Sequence, residues 1–157
     1  MAESGEEWER KMFYGEYRHS LDEKGRLTIP AEFRHILEKR NLRRLFITKG
    51  LERCLFLFTE QEWRKEEERF RNLSFTYTEA RKFNRLYFSG ASELSWDNQG
   101  RVLIPAYLKD YAQIQREVAI IGVSNRIEIW ARDRWERFYS SSLSEFEKVA
   151  ERINEIS

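Results

Sequence analysis

The sequence predicts an α+β fold built from two pseudo-symmetric halves that share one core, with flanking helices. Three observations carry this. First, Asp22-Glu23-Lys24-Gly25-Arg26-Leu27-Thr28-Ile29-Pro30-Ala31 returns as Asp97-Asn98-Gln99-Gly100-Arg101-Val102-Leu103-Ile104-Pro105-Ala106, displaced by 75 residues. An internal repeat constrains architecture before any single residue does. Second, the chain has only two prolines, and both stand at the matched place. Third, about fifty residues of matched pattern per copy are too few to bury a stable core alone, so the copies must share one.

The elements follow in order. Residues 14–21 alternate polar and apolar side chains as a strand does. Asp22 to Gly25 form a turn, in which Asp accepts backbone amide bonds and Gly supplies a positive φ. Arg26 to Ile29 form the returning strand. Pro30 opens a helix over residues 31–40, with Phe33, Ile36 and Leu37 on one face. Leu45 to Thr48 and Cys54 to Phe58 form two further strands. Thr59 caps a charged helix, Glu60 to Arg71, and Thr78 begins a linking helix that runs to about Phe88. The order strand, turn, strand, helix, strand, strand then repeats from Ala91 to Trp130. Trp63 and Trp135 match at an offset of 72, so the second copy lacks three residues, expected within the charged stretch Glu38 to Arg44. A tail helix from Ser144 to Ile156 carries Phe146, Val149, Ile153 and Ile156 at helical spacing. That stripe packs on its own domain or on a neighbour, and the intrachain arrangement is the expected one.

Composition narrows the function classes. At 157 residues the chain can form one compact domain or two small ones, and 41% apolar content supports a globular fold. No run approaches the roughly 18 apolar residues of a membrane span. Residues 1–11 read as a flexible, acidic and polar extension without a signal-peptide pattern. The single cysteine, Cys54, excludes an intrachain disulfide and a cysteine metal cage, which fits a cytoplasmic protein. It reads as an inert core thiol. The two histidines, His19 and His35, cannot supply a four-ligand metal site. His19, Ser20 and Asp22 are too close in sequence to converge as a catalytic triad. No cofactor, metal or small-molecule substrate is expected, and no enzymatic activity.

Charge is distributed unevenly. From Arg18 to Arg44 eight basic residues face four acidic ones, whereas from Ala91 to Trp130 four face five. A polyanion should therefore meet the first copy. Asp22 and Asp97 are expected to satisfy turn amides and to pair with Arg26 and Arg101. Gly25, Gly100, Pro30 and Pro105 complete that structural motif. The arginines either fix the turns or present their planar forks to phosphates and guanine edges. Lys24, at the tip of the first turn, is the stronger DNA candidate. Arg26 and Arg18 are further candidates, and Arg101 leans towards structure because its turn carries Asn98 and Gln99.

Phe13-Tyr14-Gly15 before Asp22-x-x-Gly-Arg26-x-x-Ile-Pro30, with Gly90-Ala91-Ser92-Glu93 before Asp97-x-x-Gly-Arg101-x-x-Ile-Pro105, closely resembles the MraZ family. The resemblance spans Met12 to about Phe138. It implies AbrB-like, swapped-hairpin halves, residues 12–88 and 89–157, that form one β-barrel-like core. It also implies a homo-oligomeric ring, most often an octamer, and a cytoplasmic, nucleoid-associated bacterial transcription regulator. Such a regulator binds double-stranded DNA at direct repeats upstream of its own operon, in the division and cell-wall gene cluster. The family's DNA-binding arginine falls on Arg26, and the second turn departs from the pattern by lacking a lysine. A ring-forming protein-interaction scaffold with incidental DNA binding is the alternative. An antitoxin-like AbrB relative is a further one, which the duplication disfavours.

Overall fold

The computed structural model describes residues 6–7 and 11–156; the rest of the expected extension, residues 1–5 and 8–10, lies outside them. The chain runs β1 (Phe13–Ser20), β2 (Arg26–Thr28), α1 (Ala31–Lys39), β3 (Arg44–Lys49), β4 (Leu55–Thr59), α2 (Glu60–Arg71) and α3 (Thr78–Ser89). The second half runs β5 (Ser92–Ser95), β6 (Arg101–Leu103), α4 (Ala106–Ala112), β7 (Glu117–Ser124), β8 (Ile127–Ala131), α5 (Arg132–Leu143) and α6 (Phe146–Ile156).

The strands form a six-stranded antiparallel sheet, ordered β1-β7-β8-β4-β3-β5, and a separate two-stranded ribbon, β2-β6. Exchanging each strand for its repeat equivalent reverses that order onto itself, so the sheet has an internal pseudo-twofold. The two halves alternate within it. Strand β1 of the first half pairs with β7 of the second, and β5 of the second pairs with β3 of the first. At the centre, Leu55 faces Ile129 and Leu57 faces Ile127. This corrects the expected barrel-like core: β1 and β5 remain open edges, so the sheet does not close.

It also corrects the expected strand–turn–strand hairpin. β1 and β2 flank the turn but do not pair with each other. β1 joins the large sheet, while β2 pairs with its own repeat, Leu27 opposite Val102. The apolar pattern explains the choice. Leu27, Ile29, Phe33 and Leu37 and their equivalents Val102, Ile104, Leu108 and Ala112 are all buried in one cluster. Only pairing the copies with each other places all eight together, away from water.

Three smaller readings also shift. Pro30 and Pro105 stand one residue before their helices, with extended ψ near 139°, rather than at the first helical position. Thr59 caps α2 as expected, its hydroxyl accepting from the Glu62 amide, but Thr78 is helical and no side chain caps α3. The missing residues divide between two sites. Tyr17 and its equivalent Ser92 pair with Ile120 and Ile47, an offset of 73. Two residues are therefore lost before β7 and one in the following turn, where β4 and β8 align at 72. Both sites are connections, where length is tolerated.

The α6 stripe does not dock on its own domain. Phe146, Val149, Ile153 and Ile156 are exposed, as is every residue of the helix. By contrast α3 folds back so that Tyr87 and Phe88 pack on Trp63. Six residues connect α2 to α3, whereas α5 and α6 are separated by two, with Ser144 still in right-handed helical geometry. α6 thus continues outward.

Gly122 tests the packing of β1 on β7. A Cβ there would stand 2.5 Å from the Tyr14 nitrogen and 2.6 Å from the Phe13 carbonyl carbon, both backbone. Gly122→Ala should lower stability by about 1–3 kcal/mol through overpacking, read from urea unfolding. A strand glycine without that clash would gain stability on the same change.

Candidate nucleic-acid interface

The ribbon has an inner and an outer face. Alternation along a strand turns Leu27 and Val102 inward, so Arg26, Thr28, Arg101 and Leu103 project outward. The register sets Arg26 opposite Leu103 and Thr28 opposite Arg101. Two arginines therefore lie diagonally on one exposed face, one from each repeat.

Each arginine is held by the aspartate four residues before it. Asp22 Oδ1 accepts the amides of Lys24 (3.0 Å) and Arg26 (2.8 Å), and Oδ2 accepts Arg26 Nε–H at 2.6 Å. Asp97 repeats this with the Gln99 amide (2.9 Å), the Arg101 amide (3.0 Å) and Arg101 Nε–H (2.9 Å). Gly25 and Gly100 close the turns at φ +83° and +76°, a region side chains rarely tolerate. Among the described residues each lock engages Nε, and no hydrogen bond engages the terminal amino groups of either guanidinium. They remain free to grip a planar acceptor such as a phosphate or a guanine edge. The structural and DNA-facing readings of these arginines are thus compatible: the lock orients the fork.

The remaining predicted residues fall around this face in different ways. Lys24 is exposed at the first turn. Arg18 lies on β1, in the other sheet, and pairs with Glu16 at 3.2 Å and Glu136 at 3.6 Å. It is not brought to the ribbon by the fold. Sequence reasoning missed two residues. A Cβ on Gly25 would stand 3.0 Å from Lys109 Nζ, and one on Gly100 2.2 Å from Arg34 Nη1. Arg34 and Lys109 are repeat equivalents, and each side chain reaches the turn of the other copy. The 75-residue offset pairs them in the sequence, but only the crossed topology shows which turn each one meets.

Other candidates remain structural. Cys54 is buried, and desolvation pushes its thiol well above the ordinary range, so it stays protonated and unreactive. Among the described residues no cluster of three or more His, Cys, Asp or Glu could hold a metal, and no helix is long and apolar enough to cross a membrane.

Known proteins place this geometry in a family. The family model "MraZ protein, putative antitoxin-like" matches residues 12–86 and again 87–156. The chain belongs to the MraZ family. A relative from Moorella thermoacetica, named Transcriptional regulator MraZ, is 46% identical over 142 residues, covering 90% of this chain and 96% of its own. The two MraZ matches meet in the last turn of α3, just before the second structural repeat begins at β5.

The aspartate locks have a pH signature. Both carboxyls titrate below the ordinary value of 3.8, first because each accepts the amide of its arginine and further because of the nearby guanidinium. The unfolded chain therefore takes up these protons more readily than the folded one. Their contribution to stability is full above the ordinary value and is lost as pH falls through the lower folded values. Asp22→Asn with Asp97→Asn should cost stability at pH 7, and the gap to the parent should narrow as pH falls below about 4. Urea unfolding at a series of pH values reads this; a gap that stays constant contradicts it.

Proposed function

We propose that this chain is a DNA-binding transcription regulator, not an enzyme, and that it reads DNA with the outer face of the β2–β6 ribbon. The observation that carries the proposal is the pair of aspartate-oriented arginines, Arg26 and Arg101, on one exposed two-stranded ribbon. The major groove of B-DNA admits such a ribbon, and arginine forks match guanine edges there or phosphates at its rim. Family membership and the name of the Moorella relative support the same class of function. Lys24 adds a cation at the first turn, so Lys24 and Arg26 are the leading DNA-facing residues and Arg101 the accessory one. Arg18 is peripheral.

The finer reading follows from the family. The protein assembles as a closed homo-oligomer, most often an octameric ring, in the cytoplasm and on the nucleoid. It binds direct repeats upstream of its own operon, within the division and cell-wall gene cluster. Residues 12–88 and 89–157 act as the two AbrB-like units. The outward stripe of Tyr139, Leu143, Phe146, Val149, Ile153 and Ile156 supports self-association, because monomers rarely leave so continuous an apolar surface in water. A ring would present many ribbons to successive repeats and raise avidity by roughly 10²–10⁴ over a single ribbon.

Two expected outcomes follow. Arg26→Ala should abolish binding to the upstream repeats in a mobility shift while the oligomer keeps its mass by light scattering. Equal binding of repeat and scrambled duplexes by the parent would favour an interaction scaffold instead. Ile153→Glu should lower the oligomer mass without loss of helical signal in circular dichroism; an unchanged mass removes the tail from the assembly.

A further inference from the structure

The two turns are alike in backbone and unlike in the cations around them. Around the second turn the cations are occupied. Arg34 Nη1–H donates to the Gln99 carbonyl at 3.2 Å, and the Arg43 guanidinium lies over the Trp96 ring at 4.8 Å. The second turn itself carries Asn98 and Gln99. Around the first turn the equivalent positions differ. Gln99 is replaced by Lys24, Arg34 by Lys109 and Arg43 by Arg116, while Trp96 is replaced by Leu21, which offers no aromatic face. The side chains of Lys24, Lys109 and Arg116 make no ion pair or hydrogen bond within the described residues.

Lys109 and Arg116 meet in one place, against the first turn. Asp22, Glu23, Gly25, Lys109, Gln115 and Arg116 line a shallow recess of about 190 Å³ beside the turn. The Arg116 carbonyl accepts the Leu21 amide at 2.9 Å, which fixes that segment against the turn. Asp22 is already saturated by amides and by Arg26, so Glu23 is the one acid of the recess without a cation locked to it. Two uncommitted cations of the opposite repeat, Lys109 and Arg116, line the recess, and Lys24 stands exposed on the turn between its lining residues Glu23 and Gly25.

We propose that Lys109 and Arg116 of the second repeat, with Lys24 of the first, form a phosphate-binding site for the DNA backbone beside Arg26. This rests on the DNA-binding reading above. In it the first turn is a composite of both repeats: Arg26 faces the bases, and the flanking cations fix the register on the backbone. The second turn has no such site, since its cations are spent on the fold. The asymmetry of DNA recognition therefore arises from the surroundings of the turns as much as from their own residues.

The test compares three double variants by fluorescence anisotropy on a duplex from the region upstream of the gene and on a scrambled duplex. Lys109→Gln with Arg116→Gln should weaken binding to both duplexes by a similar factor. The slope of log affinity against log salt should fall by about 0.9 for each phosphate that the variant no longer neutralises. Arg34→Gln with Arg43→Gln should leave that slope unchanged and lower the unfolding temperature. Lys109→Arg with Arg116→Lys keeps the charges and should restore the slope; failure to do so would make the role one of packing and overturn the site. A parent that binds with a steep salt slope, unchanged in Lys109→Gln with Arg116→Gln, overturns the site and leaves the DNA reading standing. A parent whose binding ignores salt, or is absent, overturns both.

Discussion

Two backbone hydrogen bonds tie the repeats together at the ribbon, and the placement of both turns depends on them. The Ile29 amide donates to the Gly100 carbonyl at 2.8 Å, and the Ile104 amide donates to the Gly25 carbonyl at 3.1 Å. Each bond joins the end of one short strand to the turn of the other copy. The ribbon between them has only three residue pairs, too few to persist alone in water. It persists because Leu27 and Val102 are nearly fully buried beneath it, and because Ile29 and Ile104 continue that burial into α1 and α4. Hydrophobic burial holds the ribbon, and the ribbon holds both turns at its ends.

That arrangement reconciles two demands on one residue. An arginine free in solvent samples many rotamers and loses entropy when it binds. Arg26 and Arg101 are held at Nε by a carboxylate that two backbone amides also fix. The aspartate thus removes rotamer freedom before any partner arrives, as preorganised binding groups require. The proline that follows each strand has no amide to leave unsatisfied and turns the chain into the helix beneath. Both repeats carry this device, and the cations around it differ between the two ends.

Much of this is legible in the sequence because repetition is visible without coordinates. The offset of 75 identifies the matched turns, the aspartate–arginine pairs, the glycines and the shared core. Most strands and helices follow from local pattern, though α5, Arg132–Leu143, is not among the expected elements. What local pattern cannot carry is the partner of a strand. The hairpin that Tyr14 to Ile29 suggests by proximity is opened by long-range burial, which outweighs the short loop. The closed barrel fails for the same reason, since edge pairing is a property of the whole sheet. Lys109 escapes notice as a neighbour of Gly25 because the crossing, not the spacing, brings them together. The tail stripe is legible as amphipathic, but amphipathicity does not name the surface that covers it.

The central claim is that the outer face of the β2–β6 ribbon meets DNA. Thr28 and Leu103 are exposed on that face beside the two arginines and take no part in the locks. Cysteine placed at either position, with a photoactivatable cross-linker attached, should join the protein to a duplex carrying the upstream repeats. Cysteine at the exposed Ser140 on α5 should not. Efficient cross-linking from Ser140, with none from Thr28 or Leu103, would contradict the account.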